Sequence, residues 1–116
     1  MSSKKEIVEK FELTLEQSYK IDQYLNEINK YNNHTNIVGK STLLDPWNSH
    51  ISDSIQICNF INNKQSSILD MGTGAGIPGL ILAISNFTNV SLVDSNLKKI
   101  KFIKYICPKL KIKVNI

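Results

Sequence analysis

Apolar positions along this chain keep a helical period up to about residue 61 and then change to short apolar runs broken by turns. Thr14 followed by Gln17 forms a capping box, in which hydroxyl and amide satisfy free donors at a helix start. Behind it Ile21, Leu25 and Ile28 recur at helical spacing, and Tyr24 and Tyr31 widen the stripe. The spacing predicts a helix from about Leu15 to Tyr31, closed by Asn32-Asn33-His34, with a shorter helix near Lys4–Lys10 before it. Asn36–Leu44 is polar and turn-rich around Gly39. Asp45-Pro46 restarts a helix, the acid as cap and the proline in the first turn, where no donor is missed. Trp47, Ile51, Ile55 and Cys58 give it one apolar face, extended by Ile61.

From Ser66 the pattern is different. Ile68-Leu69 with Met71 is a short strand, followed by a glycine loop and an apolar helix over Gly79–Phe87. Val90–Val93 is a second strand ending in Asp94, and Leu97, Ile100, Ile103 and Cys107 mark a helix that Pro108 is expected to stop. The tail alternates, with Leu110, Ile112, Val114 and Ile116 on one face and Lys111, Lys113 and Asn115 on the other, as in a half-buried third strand. The order β-loop-α-β-α-β behind a helical third predicts an α/β wound sheet of about three parallel strands. We divide the chain into a helical N-terminal extension (1–63) and the first half of a ligand-binding α/β domain (64–116).

Composition changes this picture little. With 116 residues, 41% hydrophobic and 21% charged, the chain has room for one domain. No run approaches the ~20 apolar residues of a membrane span, and the N-terminus lacks the apolar core of a secretory signal, which predicts a cytoplasmic protein away from membranes. The net charge is +4, and all 14 basic residues are Lys. Such a balance is compatible with a polyanion partner, but Arg, the usual choice for bidentate phosphate and guanine contacts, is absent. Cys58 and Cys107 read as buried free thiols rather than as a disulfide or metal site, and no metal is expected.

The candidate chemistry lies in Ile68–Leu80, ILDMGTGAGIPGL, which holds four of the five glycines. A glycine turn between strand and helix lets backbone approach a ligand with no Cβ in the way. Two templates fit. Gly74-Ala75-Gly76-Ile77-Pro78-Gly79 matches the G-x-G-x-x-G dinucleotide fingerprint, with Asp94 about 20 residues on. The other frame, Asp70-Met71-Gly72-Thr73-Gly74-Ala75-Gly76, is an acid followed by G-x-G-x-G, the pattern of class I S-adenosylmethionine-dependent methyltransferases. Asp70 favours the second, because a carboxylate at the strand end repels a pyrophosphate and suits a ligand carrying an ammonium and a sulfonium. Asp94 serves either, as an acceptor for ribose hydroxyls. His50 and Asp53, three apart on one helix, can touch; they read more plainly as a surface pair fastening the helices to the sheet than as ligand or RNA contacts. Lys98, Lys99, Lys101 and Lys104 likewise read as a solvated helix face before phosphate contacts.

Beyond the loop, Tyr31-Asn32, Asn36-Ile37, the H-x-x-D-S run His50–Ser54, the Ile77-Pro78-Gly79 extension, Leu92-Val93-Asp94-Ser95 and Lys98-Lys99 carry a wider likeness. On these residues the chain resembles the RsmG (GidB) family of 16S ribosomal RNA guanine-N7 methyltransferases, from about Tyr31 to Lys104. The resemblance implies a Rossmann-like class I methyltransferase sheet, here incomplete, preceded by an α-helical extension. It implies S-adenosyl-L-methionine as cofactor and one guanine N7 of 16S rRNA in the small ribosomal subunit as acceptor. On matching positions Gly72 and Ile77 would contact the cofactor, Gly74 and Gly76 would shape the loop, Asp94 would hold the ribose, and Asp70 would sit beside the loop. No catalytic residue is expected, since N7 already carries a free lone pair and the reaction needs alignment rather than a base. The sequence departs from the family at Ser49, where a basic residue is common, and at Tyr31, where Trp is usual. Family members continue through strands four to seven, so this chain reads as an N-terminal part or truncated homologue that binds cofactor weakly or not at all. Its first strand is expected to form an unpaired apolar edge. A dinucleotide-binding (NAD or FAD) oxidoreductase fragment and a non-catalytic RNA-interaction module are the alternatives.

Overall fold

The computed structural model describes residues 4–33, 38 and 44–116. Helix α1 (Lys4–Lys10) precedes α2 (Leu15–Asn32), whose start carries the full capping box: Gln17 N donates to Thr14 Oγ1 (3.0 Å) and Thr14 N to Gln17 Oε1 (2.9 Å). The expected turn around Gly39 and the Asn36-Ile37 pair lie outside the described residues. A helical stretch then changes pitch twice, from a π turn (Trp47–Ile51) through α3 (Ser52–Gln56) to a 3-10 turn (Ile57–Phe60). Pro46 stands at its N-cap position without a side-chain cap; Asp45 contributes its carbonyl, which accepts from Ser49 N and Oγ, and not the expected carboxylate. Strand β1 (Ile68–Met71), helix α4 (Gly79–Ile84), strand β2 (Val90–Val93) and helix α5 (Leu97–Leu110) follow.

The sheet is parallel, with Ile68 opposite Val90 and Met71 opposite Val93. Three expectations are corrected here. Pro108 does not stop α5: it costs only a bond in the last turn, and the helix runs on to bury Leu110. It closes at Lys111, which is left-handed (φ 55°) and donates to the Cys107 and Pro108 carbonyls. Consequently the third strand is reduced to one parallel bridge, Ser91 to Asn115, with Leu92 N donating to Asn115 O (2.7 Å) and Asn115 N to Val90 O (2.8 Å). The alternation survives in burial as far as Asn115, with Ile112 buried, Val114 half-buried and Lys111, Lys113 and Asn115 exposed, but Ile116, expected on the buried face, is exposed. Helix α4 ends at Ile84 rather than Phe87, because Asn86 turns left-handed (φ 77°) and Phe87 N reaches back to Leu82 O.

One core joins the helical extension to the sheet. Ile21, Tyr24 and Ile28 of α2 are fully buried with Leu80 and Ile81 of α4 and Phe102, Ile103 and Ile106 of α5. Burying each isoleucine is worth about 1.5–3 kcal/mol in transfer terms. Polar links sit at the margins. Glu27, buried on α2, accepts from Lys109 Nζ (2.8 Å) and the Tyr105 hydroxyl (3.1 Å) of α5. Asp22 accepts from Lys4 Nζ and from Trp47 Nε1 (3.1 Å), tying α1 and the π turn to α2. The helices cover only the face of the sheet bearing Ile68, Asp70, Val90 and Leu92. On the other face Leu69, Met71 and Val93 are 59%, 74% and 48% exposed.

Candidate cofactor loop

The loop between β1 and α4 is held by acceptors from both strands. Gly72 N and Thr73 N donate to Val93 O (2.7 and 3.0 Å), and Gly76 N donates to Thr73 O (3.0 Å). Gly72, Gly74 and Gly76 all have positive φ (71°, 61° and 109°), and the Ile77–Pro78 peptide is cis. A Cβ added at Gly72 or Gly74 would meet nothing within 4 Å. Those positions therefore present bare backbone to open space, as a cradle for a ligand must. Gly79 answers a different demand. A Cβ there would stand 2.1 Å from Leu92 Cδ2 and 2.9 Å from Asp70 Oδ2, so glycine lets the start of α4 lie directly on the strands.

The two acids frame the loop from opposite sides. Asp94, at the end of β2, accepts from Gly74 N at Oδ2 (2.8 Å) and from Asn96 N at Oδ1 (2.7 Å). Those two backbone donors, with a smaller contribution from the Lys99 charge, hold its carboxyl below the usual carboxylate range. Asp70 points the other way. Its Oδ2 accepts from the Thr73 hydroxyl (2.7 Å) and from Gly79 N (3.0 Å), so the carboxylate caps α4 from within. Gly79, Leu80 and Leu82 N–H all have acceptors already: Asp70 Oδ2, Gly76 O and Pro78 O.

Of the expected residues, the structure gathers Asp70, Gly72, Gly74, Gly76, Ile77 and Asp94 about one turn. Ile77 is half-buried and packs against the core. His50 and Asp53 are not brought together: His50 is half-buried and its carbonyl accepts from Ser54 Oγ (2.8 Å), while Asp53 is exposed. Sequence reasoning missed two residues that shape the loop. Thr73 is buried with its hydroxyl on Asp70, and Tyr24, buried on α2, donates to Ala75 O (2.8 Å). The stripe along α2 signalled that Tyr24 is core, but nothing in it signalled where the hydroxyl goes.

Lys98, Lys101 and Lys104 lie exposed along α5. Cys107 is buried, which pushes its thiol up to about 11, and Cys58 is half-buried; both are free. Among the described residues no three His, Cys, Asp or Glu side chains gather to hold a metal ion, and no helix is long and apolar enough to cross a membrane.

A family model described as GidB, rRNA small subunit methyltransferase G, matches residues 17–116. A ribosomal RNA small subunit methyltransferase G of Orientia tsutsugamushi (strain Boryong) is 42% identical over 84 residues, covering 72% of this chain and 42% of the relative. The protein of that name from Rickettsia prowazekii (strain Madrid E) is 36% identical over 103 residues, 89% of this chain and 49% of its own length. One from Rickettsia typhi (strain ATCC VR-144 / Wilmington) is 38% identical over 85 residues, 73% and 44% respectively. The chain spans less than half the length of these relatives.

Proposed function

The chain belongs to the GidB family, rRNA small subunit methyltransferase G, and from that membership we propose that it forms the S-adenosyl-L-methionine-binding half of a Rossmann-like methyltransferase acting on a guanine N7 of 16S rRNA. The small ribosomal subunit is then its macromolecular partner and the cytoplasm its compartment. When bound, the cofactor supplies an electrophilic methyl group. Gly72 and Gly74 offer backbone without side chains, Gly76 and Ile77 continue the turn, and Asp94 presents a charged acceptor for ribose hydroxyls at the mouth. Asp70 contributes by holding Thr73 and the first amide of α4, which keeps the turn in shape. No side chain has to move a proton, because N7 attacks with a lone pair it already exposes.

The observation that carries this reading over a dinucleotide one is the cap on α4. A pyrophosphate seats on free amides at a helix start, and here the Asp70 carboxylate fills that place with Gly79 N (3.0 Å). Calorimetric titration with S-adenosylhomocysteine and with NAD tests it. Any binding is expected to favour the first; tighter NAD binding sinks the assignment. A methyl-transfer assay on small-subunit RNA then tests the acceptor, with labelled N7-methylguanine in the digest as the expected product of a competent enzyme.

A further inference from the structure

The Ala75 carbonyl lies in the middle of the glycine turn, flanked by Gly74 (φ 61°) and Gly76 (φ 109°). With Gly76 on one side of it, the Ala75–Gly76 peptide plane has less steric restraint on its rotation than a plane between two side-chain-bearing residues. Ala75 is 5% exposed, so that carbonyl needs a partner inside the protein. The partner comes from 51 residues away: Tyr24 Oη, on a side chain with no exposure, donates to it at 2.8 Å. The tyrosine is itself committed. Its ring packs at 6.3 Å from Phe102, and burial, with Cys107 and Asp70 nearby, pushes its hydroxyl far above the ordinary phenol range, so it stays a donor. A phenylalanine would fill the same core space; among the described residues the hydroxyl's one hydrogen bond is to the loop.

We propose that Tyr24 is a positioning residue for the cofactor loop, and that helix α2 therefore forms the loop's back wall. This rests on the methyl-donor reading for its functional consequence, but not for its structural one. By fixing the Ala75–Gly76 peptide plane, Tyr24 also sets the direction of Gly76 N, which closes the turn on Thr73 O (3.0 Å). Helix α2 is in turn held in place independently, by Gln17 Nε2 on Ile84 O (3.3 Å) and by Glu27 on Lys109.

Tyr24→Phe, compared with Gln17→Ala as a control that loosens α2 elsewhere, separates positioning from packing. In the ligand-free protein, amide exchange at Gly76 should quicken about fivefold in Tyr24→Phe relative to β2 amides, as expected for one lost hydrogen bond. In Gln17→Ala the ratio of loop to β2 exchange should stay at the wild-type value. S-adenosylhomocysteine affinity, by calorimetry, should fall several-fold in Tyr24→Phe only. Wild-type loop exchange in Tyr24→Phe overturns the proposal, and so does quickened exchange with unchanged affinity. If the wild-type chain binds neither S-adenosylhomocysteine nor NAD, the exchange ratio alone decides whether Tyr24 holds the loop; tighter NAD binding instead refutes the methyl-donor reading.

Discussion

Asp94 joins two tasks in one carboxylate, and its replacement should expose both. Asp94→Ala removes the acceptor of Gly74 N and the proposed ribose contact; S-adenosylhomocysteine affinity should fall on the order of tenfold, as for a lost charged hydrogen bond, with unchanged affinity refuting the ribose role. The carboxyl is depressed when folded, so its hold on the loop is present above the ordinary carboxylate range and is lost as pH falls through the folded value. Gly79→Ala tests close approach. Its Cβ would meet Leu92 and Asp70, so a loss of about 1–3 kcal/mol by urea unfolding is expected. At this scale the sequence was half legible. An acid, three glycines at alternate positions and a second acid announced the loop. The direction in which Asp70 points depends on Thr73 and Gly79 folding back over it, a loop conformation that residue spacing alone does not encode.

Among elements, the α2–α5 clasp is the least visible in sequence, since Glu27 and Lys109 are 82 positions apart and each alone reads as surface. Lys109, the largest influence on Glu27, and Tyr105 hold its carboxyl below its usual range, and Glu27 raises Lys109 in return. The depressed acid stabilises above the carboxylate range and fails as pH falls through its folded value; the raised lysine stabilises below its own range and fails as pH rises through its folded value. The clasp thus holds across neutral pH and opens at either extreme. Glu27→Ala should cost about 1–2 kcal/mol at neutral pH, with half-exposed Lys109 returning to water. The variant should also show a shallower loss of stability than wild type on acidification, measured by urea midpoints. An equal slope would show that the pair contributes nothing. Helices α1 and α2 and both strands were readable because caps and periods agree locally. The third strand was misjudged because alternation reports a half-buried segment, whereas a ladder also needs backbone partners, and only Asn115 finds them.

For the molecule as a whole, β1 pairs only with β2 among the described residues, and Leu69, Met71 and Val93 form a bare apolar face beside it. Such an edge pairs with other chains when it can. Sedimentation velocity should show concentration-dependent association that Met71→Lys suppresses; a concentration-independent monomer would count against it. The single core shared by α2, α4 and α5 was not legible, because a division at residue 63 follows the change of period and period says nothing of what packs across it. The contact from Gly74 to Asp94 has a wider consequence. It joins the turn after one strand to the end of the next, so the loop holds its shape only while β1 and β2 are paired. Ligand occupancy and strand pairing are then two readings of one equilibrium. A ligand at a hundred times its Kd would add about 2.7 kcal/mol to sheet pairing, and protection of the β1 and β2 amides would measure affinity as faithfully as any titration of the loop itself.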